Sequence, residues 1–185
     1  MKPRTYYPLK LDVEAFARDG ASLHGEWPAA SLERLAGCGA PEVPLANWPS
    51  VRWQLRGERV EPRGKAAETW LHLRAESIAA LTCQRCLRPV EEHLEVERKF
   101  LFIDGEDAAA ALDAEHDETD VLALTRALDA RELVEDELLL ALPLVPRHAD
   151  CEAPAPPPSD FLPGYDDKPK PFAALAALKK GGKAQ

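Results

Sequence analysis

The stretch Val51-Arg52-Trp53-Gln54-Leu55-Arg56-Gly57 sets apolar side chains at every second position with polar ones between them. Thr69-Trp70-Leu71-His72-Leu73-Arg74-Ala75 repeats the pattern after a break that contains Pro62 and Gly64. Successive side chains point to opposite faces of a strand, so each segment has one face to bury. Two such segments joined by turn residues predict an antiparallel hairpin.

Working outward, residues 78–81 form a further apolar run that leads into Cys83-Gln84-Arg85-Cys86, and residues 93–102 read as another strand. The sum is a meander of about four strands. Upstream, apolar spacing over residues 9–16 and 31–36 suits two short helices, the second with Ser31 as N-cap. Downstream, residues 104–120 hold eight carboxylates and no Lys or Arg, a density whose self-repulsion predicts a mobile acidic loop. Residues 120–124 read as a short strand. Asp129 then opens a helix reaching about Leu142, with Glu132 three residues on as in a capping box, and Pro143 and Pro146 end it.

These elements predict an α+β fold: a small antiparallel β-sheet packed with a few helices, in a globular domain over residues 1–152. The run Ala153-Pro154-Ala155-Pro156-Pro157-Pro158 supports neither ladder nor helix, so residues 153–170 are expected to be a Pro-rich linker. Residues 171–185 then form a short C-terminal helix and tail. There Phe172, Leu175 and Leu178 make one apolar stripe, a candidate partner-binding surface because a helix of two or three turns does not hold in water alone.

No stretch of the chain approaches the roughly 18 apolar residues of a membrane span, and the N-terminal residues carry no apolar segment of signal-peptide length. A cytoplasmic protein without membrane contact is expected. In that compartment thiols stay reduced, so Cys38, Cys83, Cys86 and Cys151 are not expected to form structural disulfides. The net charge of −9 is unevenly spread: residues 1–90 carry 13 basic and 10 acidic side chains, a balance of +3, and residues 91–185 carry 10 and 22, a balance of −12. An acidic surface gains nothing from releasing the counterions of a phosphate backbone, so direct RNA binding is expected to be weak and a basic protein partner fits the field better.

Cys83 and Cys86 stand two residues apart, which lets both sulfurs reach one tetrahedral metal. His148 and Cys151, also two residues apart and just past the long helix, could complete a Cys3His zinc site. The competing reading leaves Cys83 and Cys86 as ordinary buried or edge-strand thiols. A thioredoxin-like redox role fits poorly, since strand-like sequence flanks the pair on both sides. Cys38, in a Gly-Cys-Gly loop, has no partner nearby. No phosphate-cradling loop, dinucleotide fingerprint, nucleophile elbow or paired-histidine motif occurs. Glu135, Asp136 and Glu137 are read as a solvated helix face and not as a general acid/base pair. No enzyme is expected.

The set of motifs resembles the YceD family of large ribosomal RNA subunit accumulation proteins. The matching features are Cys83, Arg85, Cys86 and Leu87 in a Cys-x-Arg-Cys-Leu motif, the acidic stretch 104–120, and the acidic helix running into a Leu-Pro-Leu-x-Pro turn with His148 and Cys151 beyond it. A tail similar to Pro-Phe-Ala-x-Leu-x-x-Leu-Lys over residues 171–179 completes the set. The first 50 residues match less distinctly. The resemblance implies a role in synthesis, processing or stability of 23S ribosomal RNA, and the acidic chain implies action through a basic ribosomal protein or assembly factor. The alternative is an RNA-processing enzyme or zinc-dependent RNA-binding module centred on Cys83 and Cys86.

Overall fold

The computed structural model describes residues 4–64, 66–114 and 119–155. The expected linker beyond Ala155 and the stripe Phe172, Leu175, Leu178 lie outside the described residues. Five strands are present among the described residues: β1 (Ser22–Trp27), β2 (Val51–Val60), β3 (Glu68–Thr82), β4 (Pro89–Ile103) and β5 (Asp120–Ala123). They lie side by side in chain order. The first three junctions are antiparallel and β5 runs parallel to β4.

The hairpin read from alternation is β2 and β3, with Leu55 opposite Leu73 and Gly57 opposite Leu71. Residues 78–81 are not a separate strand. They continue β3, a single 15-residue strand that pairs with β4 along its length. The sheet is mixed where an antiparallel meander was expected, because α3 (Glu106–Asp113) carries the chain back to the start of β5. That helix takes up residues 106–113 of the stretch 104–120 expected to be a loop, of which residues 115–118 lie outside the described residues. Ala108, Ala109, Ala110, Ala111 and Leu112 favour a helix intrinsically, and Glu106 and Asp107 meet its positive N-terminal end, where negative charge is favourable. Asp113 then accepts a hydrogen bond from the Val121 N–H at 2.9 Å, fixing the entry to β5.

One face of the sheet is covered. α1 (Val13–Arg18) packs on β2 and β3, α4 (Ala130–Leu140) packs on β3 and β4, and α2 (Glu33–Gly37) packs against α4. Phe16, Leu55, Leu71, Leu73, Phe100, Val134 and Leu138 fill the interior, none more than 2% exposed. The approach of α1 is close enough that a Cβ on Gly57 would come within 2.7 Å of the Phe16 carbonyl oxygen, so this strand position has to be glycine. Asp12 caps α1 by accepting from the Ala15 N–H, and Asp129 caps α4 by accepting from the N–H groups of Arg131 and Glu132.

The other sheet face is polar. Its arginines are matched by carboxylates, with Arg52 on Glu76 at 2.9 Å, Arg56 on Glu58 at 3.3 Å and Arg74 on Glu97 at 2.8 Å. No helix among the described residues is long and apolar enough to cross a membrane.

Candidate metal centre

Cys83 follows the last residue of β3 and Arg88 precedes the first of β4, so residues 83–88 are the tip of a hairpin. Two backbone hydrogen bonds fold that tip into a compact knuckle: Cys83 N–H to the Arg88 oxygen and Leu87 N–H to the Cys83 oxygen, both 2.9 Å. Leu87 takes a left-handed backbone at φ 62°, an uncommon conformation for a residue with a Cβ, and so turns the chain sharply after Cys86. The second half of the site follows α4. The segment ended by Pro143 and Pro146 crosses the knuckle, where Gln84 N–H donates to the Pro146 oxygen at 2.9 Å and Arg85 Nη1 to the Cys151 oxygen at 3.1 Å.

These bonds bring the four side chains together as their spacing predicted. The ligand atoms of Cys83, Cys86, His148 and Cys151 all lie within 4.8 Å of one another. Cys83 Sγ is 3.7 Å from Cys151 Sγ, and Cys86 Sγ is 3.4 Å from His148 Nδ1. A tetrahedron built on zinc–sulfur bonds of about 2.3 Å and a zinc–nitrogen bond of about 2.0 Å has sulfur–sulfur edges of about 3.8 Å and sulfur–nitrogen edges of about 3.5 Å. The Cys83–Cys151 and Cys86–His148 edges match those lengths. Cys83 is fully buried, whereas His148 and Cys151 are half-buried. All four cysteines carry free thiols.

The electrostatics favour anionic sulfur. Burial pushes the Cys83 thiol up, but N–H groups of Cys86, Arg85 and His148 and the His148 ring outweigh it and bring it down to about 5. The Arg88 N–H lowers Cys86 against the effect of burial. Burial and the adjacent sulfurs raise Cys151. The imidazole of His148 is raised by its hydrogen bonds to the sulfurs, Cys83 first. Charge is thus stabilised most on the sulfurs of the knuckle, by fixed backbone dipoles of the kind that hold metal-bound thiolates. A cluster able to hold a metal ion is in place.

A family model described as large ribosomal RNA subunit accumulation protein YceD matches residues 71–179, more than half of the 185-residue chain. The chain belongs to the YceD family. The large ribosomal RNA subunit accumulation protein YceD of Haemophilus influenzae is 38% identical over 108 residues, which cover 54% of this chain and 59% of that protein. The chain therefore matches about three fifths of the length of its curated relative. No solved structure matches. The YceD match includes the whole Cys3His cluster, β3 from Leu71, β4, β5 and α4, whereas β1, β2, α1 and α2 precede it.

The expectation of a solvated acidic face on α4 is corrected for two of its three members: Glu135 and Glu137 are each only 7% exposed. Glu135 Oε1 accepts from the N–H groups of Arg34 and Leu35 at 2.7 and 3.1 Å, and its other oxygen accepts from Arg34 Nε at 3.1 Å. It serves as the missing cap of α2, because the expected N-cap Ser31 instead donates its hydroxyl to the Pro28 oxygen. Glu137 accepts from Arg98 Nε at 3.0 Å and ties α4 to β4. Cys38 is exposed and stands apart from the cluster, its sulfur 3.4 Å from the Arg34 oxygen.

Proposed function

We infer that this YceD protein supports the accumulation of large-subunit (23S) ribosomal RNA in the cytoplasm as a non-catalytic accessory protein, and that it acts through a basic ribosomal protein or assembly factor. The observation that carries the reading is the Cys3His cluster inside a YceD match. Zinc is the metal that three thiolates and an imidazole at these separations suit best. Four protein ligands leave no open coordination position, the arrangement of structural and not catalytic zinc. Bound there, zinc would cross-link the β3–β4 tip to the segment after α4 and contribute folding free energy directly.

Charge supports a protein partner over RNA. Residues 91–185 carry a balance of −12, and the arginines of the polar sheet face already face carboxylates. Arg85 is engaged with the Cys151 oxygen. These pairings reduce what the polar sheet face can offer for displacing counterions from a phosphate backbone. The test is a tagged pull-down from growing cells at low and high salt, with bound proteins and RNA identified and 23S RNA measured after depletion of the protein. Capture of a basic ribosomal or assembly protein, lost at high salt, is expected. Tight RNA binding by the purified protein with a steep salt slope, and no basic partner, would overturn the reading.

A further inference from the structure

We propose that the outer edge of β4 is a docking line for an extended, lysine- or arginine-rich segment of a partner protein, which adds to the sheet as a strand. The proposal rests on the basic-partner reading and gives it a place and a binding mode. β3 pairs with β4 along its length, but on the opposite edge β5 pairs only with residues 100–103. Among the described residues no strand pairs with residues 90–99 on that side. At about 3.3 Å per residue this is an edge of roughly 33 Å, with N–H and C=O groups of alternate residues turned outward. An open edge of that length is a template for another strand.

The side chains along the edge decide which strand. Along residues 90–99 stand Glu91, Glu92, Glu95 and Glu97, the last paired with Arg74, against Arg98, which is bonded to Glu137, and the exposed Lys99, so the uncompensated acids are those of residues 91–95. A second copy of the same edge would set glutamates against glutamates, and a phosphate backbone would be repelled. A cationic segment meets complementary charge over residues 91–95.

A second feature lies beside the edge. A groove of about 260 Å³ is lined by Glu95, Val96, Glu97, Arg98, Glu137, Leu140 and Ala141, with Arg98 neutralised by Glu137. Leu140 is 72% exposed. The groove is placed to take an apolar side chain of the added strand, between acids that would flank basic neighbours. It also lies at the C-terminal end of α4, whose last turn carries no basic residue, so the negative end of the helix dipole adds to the attraction for a cation. The fitting segment alternates cationic and apolar residues.

The probe is a ten-residue peptide of alternating Lys and Val, titrated onto the full-chain protein at low salt, alongside two versions N-methylated on only the Lys or only the Val positions. N-methylation removes the hydrogen-bond donors of one peptide edge and leaves the protein untouched. The parent peptide should bind and slow exchange of those amides of residues 90–99 that do not bond to β3. One methylated version should bind at least tenfold more weakly and the other about as well as the parent. Glu92→Lys with Glu95→Lys should weaken the parent without changing the backbone.

Equal binding of all three peptides would overturn strand addition, while a captured basic protein would leave the partner reading standing. Protection in the free protein, or on self-association, of those amides of residues 90–99 that do not bond to β3 would assign the edge to another occupant and overturn the proposal. Failure of every basic peptide and of every basic protein in the pull-down would remove the proposal and the partner reading together.

Discussion

Replacing Cys83 with serine removes the most buried ligand of the cluster and, with it, the cross-link between the β3–β4 tip and the segment after α4. The size of the effect follows from chain topology. Cys83 and Cys151 are 68 residues apart, and closing a loop of that length removes unfolded-state entropy equivalent to about 4 kcal/mol at 25 °C in the loop-closure treatment of a cross-link. The Gln84 and Arg85 hydrogen bonds remain, so the variant should still fold. For a domain of this size a loss of about 4 kcal/mol lowers the melting temperature by roughly 10 °C. Zinc content, measured by mass spectrometry of the purified protein, should be about one equivalent in the wild type and near zero in Cys83→Ser, by analogy with other four-ligand sites. A strong chelator should bring the wild type down to the variant and leave the variant unchanged. Cys38→Ser, at an exposed thiol outside the cluster, is the control and should alter neither quantity. Equal stability of wild type and Cys83→Ser, with no metal in either and no response to chelator, would refute the reasoning.

Glu135→Ala strips the cap from α2 and leaves two backbone N–H groups without their acceptor, which should cost about 2–4 kcal/mol in urea unfolding; Glu135→Gln keeps an acceptor oxygen and should lose clearly less. Acidification should release the metal. The sign follows from proton competition for the sulfurs: Cys83, held down to about 5, stays anionic well below neutrality, whereas Cys151, raised by burial and its sulfur neighbours, takes its proton back at higher pH, so competition titrations at about pH 7.5 and 5.5 should show much weaker binding at the lower value. Deleting residues 169–185, or changing Phe172, Leu175 and Leu178 to alanine, should leave the melting curve of the remaining chain in place and weaken capture of the partner; unchanged capture would exclude a docking role for this stripe.

The parts of the fold that could be read from the sequence are those in which neighbours along the chain carry the signal. Alternation at Val51, Trp53 and Leu55 defines β2, and Asp129 before an apolar run defines α4. β1 has the same alternation, with Leu23, Gly25 and Trp27 on the inner side, but a glycine at its centre hides the period. Trp53 makes good the gap, since a Cβ on Gly25 would come within 2.9 Å of the Trp53 ring and Trp27 stacks on that ring at 4.4 Å. β3 looked interrupted because Ser77, only 7% exposed, puts a polar residue on its inner face. The parallel placement of β5 has no local signature, since it depends on where α3 returns the chain.

The same distinction separates the cluster from the buried acids. A metal site announces itself through residue type at fixed spacing, because each pair of ligands must reach one centre from a single turn. Cys83 and Cys86, and His148 and Cys151, carry that spacing. Glu135 carries none, because its partners lie about one hundred residues away at Arg34 and Leu35. Its neighbour Asp136, half-exposed and paired with the same arginine, has the ordinary behaviour of a surface acid. The available signal was negative: α2 begins at Glu33 after Leu32, a residue with no side-chain acceptor, so its first N–H groups required a distant carboxylate. That requirement joins α2, which precedes the YceD match, to α4 within it. The N-terminal helices are thereby part of the same folded unit as the metal cluster, and loss of Glu135 should be felt on both sides of that boundary.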